Sequence, residues 1–382
     1  MTTANETGQG QAAAKWVRKP SLPALTGLRT LLALNIVLFH FTPGHLHYFY
    51  PVIDHAYVFV GFFFLISGYI LAYNYGDRAL TLDKRAFYLA RLARIYPTYL
   101  LTLTLSLPLL WEEWHSRPHA EFWQGLALTP FALQGWSSSL ATFWNTVGWT
   151  ISAEVAMYVA FPFLLYLLGT GGQWLNTPLR VGAAILSLWV IGLLPHLTYL
   201  MVNPDHLTAP ADRFTSGFWI RTLKYTPPPY LCTFVEGMLL ARMQGLLTLS
   251  RGQRTAVAGV AFGGLILFFE TQVASVPYIL MHGCLLMPLF ALVIVGLSGQ
   301  NAIASILSWT PLVLLGEATF SLYLLHFNAF ILIHTYHLPE RLHVAAFDPW
   351  ISYAALIALA FAALHWVERP AHRYLRARLA RA

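Results

Sequence analysis

Arg29 and His40 stand eleven positions apart in an otherwise apolar run. On a helix, eleven steps of 100° make about three turns plus 20°, so both side chains point to one face, roughly 16 Å apart along the axis. Asn35 lies off that face. An arginine holds anions, and an imidazole with a pKa near neutrality suits a general base. Arg91 and Arg94 are three apart and share a helical face. They sit at a helix start, where the dipole repels cations unless an anion is present. Glu154 lies within the run opened by Trp149-Thr150-Ile151-Ser152-Ala153, about 9 Å below the outer boundary by helix rise. A buried carboxylate needs a partner or a proton. A later apolar run carries Ser321, Tyr323 and His326. Depth alone predicts that His40, Glu154 and His326 meet in one outer-half cavity, where the carboxylate would fix the tautomer of an imidazole. The bland alternatives are a snorkelling arginine, a satisfied interfacial histidine and ordinary positive anchoring.

The elements that must position these groups follow from composition. Of 382 residues, 57% are hydrophobic and 10% charged, and mean hydropathy is +0.57. A soluble domain carries about 25% charged residues, so an ordinary globule, a disordered chain and a small disulfide scaffold are excluded. Cys232 and Cys284 both lie in apolar runs, which leaves no zinc cluster. Crossing ~30 Å of hydrocarbon takes roughly 20 apolar residues. Ten candidate spans are 24–43, 56–75, 95–111, 148–168, 181–201, 229–241, 255–270, 277–297, 311–335 and 348–367. The sixth is short and is expected to tilt, or to continue through Arg242 and Met243 with the arginine snorkelling. The stretch 122–135, interrupted by Gln124, Gly125, Pro130 and Gln134, reads as interfacial or re-entrant. Gly259 and Gly263 suggest close helix packing in the seventh span.

The net charge of +7 would hint at nucleic acid in a soluble protein; here Lys and Arg placement sets topology instead. With ten spans and the N-terminus inside, eighteen of the 23 Lys and Arg fall inside. The expectation is therefore an all-α polytopic membrane protein of about ten transmembrane helices with both termini cytoplasmic. Residues 1–20 are expected to form a disordered cytoplasmic arm, 21–370 the membrane domain and 371–382 a basic cytoplasmic tail. His45, His47, Asp54 and His55 cluster on a short outer loop, without zinc-ligand spacing. No metal site is expected.

Six segments, in order, resemble the acyltransferase-3 family of integral-membrane O-acyltransferases that decorate bacterial glycans. They are Leu25-Thr26-Gly27-Leu28-Arg29 followed by His40, the Phe59–Tyr69 stretch with Ser67-Gly68-Tyr69, Arg91-Leu92-Ala93-Arg94-Ile95-Tyr96-Pro97, the Trp149–Glu154 stretch with Tyr158 and Pro162, Phe320–His326, and Glu368-Arg369-Pro370 with Arg373. The resemblance spans about residues 20–375. Thr150 and Phe320 depart from the family's usual Ser and Tyr.

The resemblance implies an acyl-CoA co-substrate, most often acetyl-CoA, whose phosphates pair with Arg91, Arg94 and Arg29. It implies His40 as general base, with Glu154 and His326 orienting it or lining the acceptor site, and substrate contacts at Ser67, Trp149 and Tyr323. The acceptor would be a hydroxyl of a glycan or lipid-linked saccharide, in a bacterial plasma membrane among its lipids. A secondary transporter is the chief rival; it should show broken helices at paired positions of two inverted halves.

Overall fold

The computed structural model describes residues 19–43, 46 and 49–379, with side chains to 374 in the last helix. The arm expected over residues 1–20 (save Lys19 and Pro20), His45, His47 and the end of the basic tail lie outside the described residues. The described chain is all-helical, with no β-strand among the described residues.

Helix α1 (Pro23–His40) opens on a proline, which suits a position that needs no N–H partner. Helix α2 (Val58–Tyr75) follows. Helix α3 (Lys84–Leu105) starts where the Asp83 carboxylate accepts from the Ala86 N–H at 3.0 Å. Next come the short α4 (His119–Leu128), α5 (Trp149–Thr170) and α6 (Pro178–Val202). Then follow the eight-residue α7 (Phe218–Tyr225) and α8 (Leu231–Leu246). A reciprocal Ser250–Gln253 cap opens α9 (Arg251–Thr271). The last elements are α10 (Tyr278–His282), α11 (Met287–Leu297), α12 (Thr310–Glu317), α13 (Thr319–Thr335), α14 (Trp350–Ala363) and α15 (Arg369–Leu379).

Each expected span falls on one of these helices or on a consecutive pair. Among the described residues seven helical stretches are long and apolar enough to cross a membrane, and α12 with α13, bent by 65°, makes an eighth if the pair is one span. The other two candidates miss for physical reasons: α3 carries Lys84, Arg85, Arg91 and Arg94, and α8 has only 16 residues. Only 17% of the apolar window of α6 and 22% of that of α9 is buried. Their outward faces are apolar, with Leu186 and Ile191 on α6 and Val260 and Ile266 on α9 exposed. Such faces match hydrocarbon, not water.

Two sequence expectations about packing change. Gly259 and Gly263 of α9 do not make the close contact: a Cβ at Gly263 would meet nothing within 4 Å, and one at Gly259 only the tip of Ile303 at 4.0 Å. Backbones meet instead at α2 and α8. A Cβ on Gly68 would lie 2.0 Å from the Phe234 carbonyl oxygen, and one on Gly237 2.1 Å from that of Leu65, so only glycine lets these helices touch. Arg242 does not snorkel. It donates to the Leu175 and Gly172 carbonyls, both at 2.6 Å, and so closes the chain after α5.

The 122–135 stretch turns back into the protein. Helix α4 has ten residues, too few to cross. Beyond it Gln134 is fully buried and donates to the Tyr99 hydroxyl at 3.1 Å, and the Gly135 N–H donates to Ser152 Oγ at 3.0 Å. Helix α5 therefore begins inside the molecule, with every residue from Trp149 to Ala153 buried.

Candidate active site

Arginine dominates the interior cavity. Arg29 reaches it from α1, Arg91 and Arg94 from α3, Glu154 and Tyr158 from α5, and Tyr323 from α13; Ser67 of α2 and Thr150 complete its polar wall. Its volume is about 120 Å³. The Tyr158 hydroxyl donates to Glu154. The Arg91 guanidinium lies over the rings of Phe87 and Tyr158, at 5.8 and 5.7 Å. The Nε atoms of Arg29 and Arg91 are buried with no hydrogen-bond partner. Three guanidinium groups thus share one cavity with one carboxylate, and two of their Nε donors are unmatched. Buried cations without partners are costly, and an anion entering the cavity would supply what is missing.

The second group lies one side chain away. Tyr323 borders the cavity, and its ring is 5.7 Å from that of His326. The rings of His326 and His40 are 5.3 Å apart. His326 is fully buried and its Nδ1–H donates to the Tyr323 carbonyl at 2.7 Å. That bond fixes the tautomer and leaves a lone pair on Nε2, which has no partner. Phe39 and Phe327 wall His40, each with its ring 4.9 Å away. Helix α13 is held here by Asn145, which donates to the Leu324 carbonyl at 3.2 Å, and by Asn328, which donates to Ser106 Oγ and the Trp144 carbonyl, both at 2.8 Å.

The eleven-residue spacing of α1 is realised. Arg29 shares the cavity with Tyr323, and His40 meets His326 three positions further along α13. His40 and His326 meet as depth predicts; Glu154 does not join them. It lines the arginine cavity, which neither histidine lines. Counting helix rise from a membrane boundary misplaced Glu154, because α5 starts within the buried loop that precedes it. Trp149 is also displaced: it packs against Phe64, Tyr225 and Tyr230 with ring separations of 6.3, 5.4 and 5.5 Å and does not line the cavity.

Two contributors are given no role by the sequence reading, although Tyr158 stands in one of the segments that resemble the family. Tyr158 has a signal, since it is four residues after Glu154 and so on the same helical face. Arg213 has none: it comes from the 203–217 loop, its guanidinium 4.7 Å over the Phe39 ring beside His40. Lys224 of α7 holds that loop, its Nζ donating to the Arg213 carbonyl at 3.2 Å. Burial, with Arg221 nearby, lowers the Lys224 pKa to about 8. Among the described residues no three His, Cys, Asp or Glu side chains are grouped to hold a metal ion.

Known proteins resemble this chain over most of its length. The acyltransferase MdmB of Streptomyces mycarofaciens is 26% identical over 331 residues, which cover 80% of this chain and 78% of that protein. A putative O-acetyltransferase of Staphylococcus aureus strain COL is 23% identical over 93% of this chain and 58% of its own length. The O-acetyltransferase OatA of Staphylococcus aureus strain NCTC 8325 is 21% identical over 88% of this chain and 55% of its own. The chain thus spans little more than half of these staphylococcal relatives. No solved structure matches. The model of the acyltransferase-3 family, an acyltransferase domain, matches residues 22–367, from the residue before α1 to four residues past α14, and the chain belongs to that family.

Proposed function

We propose that this protein is a multi-pass O-acyltransferase of a bacterial plasma membrane, with both termini cytoplasmic. It moves an acyl group, most simply acetyl, from acyl-CoA to a hydroxyl of a glycan or lipid-linked saccharide. The observation that carries this reading is the pairing of a cation-rich cavity with a histidine pair three turns away on the same face of α1. Arg29, Arg91 and Arg94 bind the donor phosphates. Ser67 and Tyr323 line the way of the acyl arm toward His40. Glu154, held by Tyr158, spaces the arginines.

At the other end His40 takes the proton of the acceptor hydroxyl as its oxygen attacks the thioester carbonyl. The C–S bond breaks, the ester C–O bond forms, and the proton passes from His40 to the departing thiolate. The His326 Nε2 lone pair accepts a hydrogen bond from the acceptor or from His40 and orients it. The relatives called acyltransferase and O-acetyltransferase support the oxygen acceptor.

The test is calorimetric titration of the detergent-purified protein with acetyl-CoA, wild type against Arg94→Ala. Saturable binding that the substitution weakens supports the reading. Folded wild-type protein that binds no acetyl-CoA at millimolar concentration overturns it and turns attention to transport.

A further inference from the structure

The arginine cavity has two neighbours, and they differ in charge. One, of about 440 Å³, shares Arg91 and Arg94 with it and is closed by Arg369, His372 and Arg373 of α15, with His365 and Glu368. The other, of about 590 Å³, shares Arg29 and is lined by Lys19, Tyr73 and Asn74. In the second, Lys19 is already paired with Asp77 at 2.9 Å. In the first, Glu368 accepts from Ser321 Oγ at 3.2 Å, and Arg369 is bound to Glu317 and meets His365 Nε2 at 3.0 Å. Among the described residues no carboxylate pairs with Arg373, which is exposed at the cavity rim. Even with Glu317 and Glu368 counted, the four arginines leave a surplus of two positive charges.

This surplus is built by the backbone. A five-residue π-helical turn, Leu364–Glu368, joins α14 to α15. Such a turn widens the helix locally and resets which side chains share a face. It brings His365, Glu368 and Arg369 to the cavity together with Arg373, and α15 packs along α3, which carries Arg91 and Arg94.

A coenzyme A thioester bears phosphate in two places: a diphosphate within the arm and a monoester on the ribose 3′ oxygen. A phosphate monoester carries close to two negative charges at neutral pH. We propose that the α15 cavity is a second anion subsite that takes this 3′-phosphate, with Arg373 as the residue that distinguishes coenzyme A from its 3′-dephospho form. The inference rests on the acyl-CoA reading and adds the direction in which the nucleotide leaves the arginine cavity, toward α15 and away from Lys19. The guanidinium fork suits a terminal phosphate that offers three oxygens.

The experiment titrates full-length protein in detergent with coenzyme A and with 3′-dephospho-coenzyme A. It uses wild type, Arg373→Gln and Lys19→Gln, each checked as monodisperse and helical. Wild type is expected to prefer coenzyme A by tenfold or more, and more strongly at low salt than at high. Arg373→Gln is expected to weaken coenzyme A about tenfold and leave the dephospho form within twofold; Lys19→Gln keeps the wild-type preference. Equal wild-type affinity for the two ligands, a preference that survives Arg373→Gln, or one abolished by Lys19→Gln each overturns the subsite while leaving the donor reading intact. Binding of neither ligand by folded wild type overturns the donor reading itself, and the subsite with it.

Discussion

The two ends of α1 solve opposite problems. Around Arg29 the protein gathers cations, answers them with one carboxylate and leaves buried Nε donors unmatched. Around His40 it gathers aromatic rings and a second histidine. The first leaves guanidinium donors unpartnered; the second presents the unpartnered His326 Nε2 among aromatic rings, with Arg213 over one of them. In the proposed reaction that contrast assigns the donor's charge to one end of α1 and proton transfer to the other. Tyr323 belongs to both, bordering the cavity with its ring and holding His326 with its carbonyl.

The sharpest way to break this contrast is His40→Ala. Transfer of labelled acetyl groups should fall by about a thousandfold, the scale of a lost general base, while acetyl-CoA affinity stays within twofold. A parallel loss of affinity would merge the two ends into one site. Next in size is Arg94→Ala, which should weaken acetyl-CoA about tenfold at low ionic strength and less in high salt. An effect indifferent to salt would remove phosphate from the account.

Tyr158→Phe sharpens the comparison within the cavity. It removes the hydroxyl that donates to Glu154 and should weaken the donor only about fivefold, in keeping with ~1 kcal/mol for one hydrogen bond. Transfer at saturating donor should be unchanged; a loss of turnover there would give Tyr158 a part in the chemistry.

The smallest effect lies on the His40 side, at Lys224. Its pKa of about 8 when folded is below the usual lysine value near 10.5. The unfolded chain therefore binds more protons between pH 8 and 10.5, so stability rises with pH through that window and the cost of burying the charge is fully present below pH 8. Thermal unfolding in detergent should show this rise in wild type and a flatter profile in Lys224→Met. An identical slope in both would place the titration elsewhere.

The helices and much of the site were legible in the sequence. The α1 periodicity aimed Arg29 and His40 correctly because helical geometry is local. The order of apolar runs located the spanning elements for the same reason. Depth was less legible. Glu154 joined the arginines because a buried loop after α4 starts α5 inside the protein, and no count from a membrane boundary registers that loop. Trp149 followed it into the interior and became packing among Phe64, Tyr225 and Tyr230. The close α2–α8 contact was hidden as well: Gly68 precedes Ala72 by four residues and Gly237 stands between Thr233 and Ala241 at the same spacing, but nothing local pairs two helices so far apart in sequence.

What the sequence determined by itself was composition, periodicity and the spacing of groups on one helix, all properties of neighbouring residues and the solvent they require. Which helices face one another came from packing: Tyr323 between the two ends of the site, Arg213 over Phe39, and α15 carried to Arg91 and Arg94 by a widened turn. Those juxtapositions arise from packing between segments hundreds of residues apart, where a carbonyl meeting a glycine or a loop turning inward shifts a side chain by a full layer of the bundle.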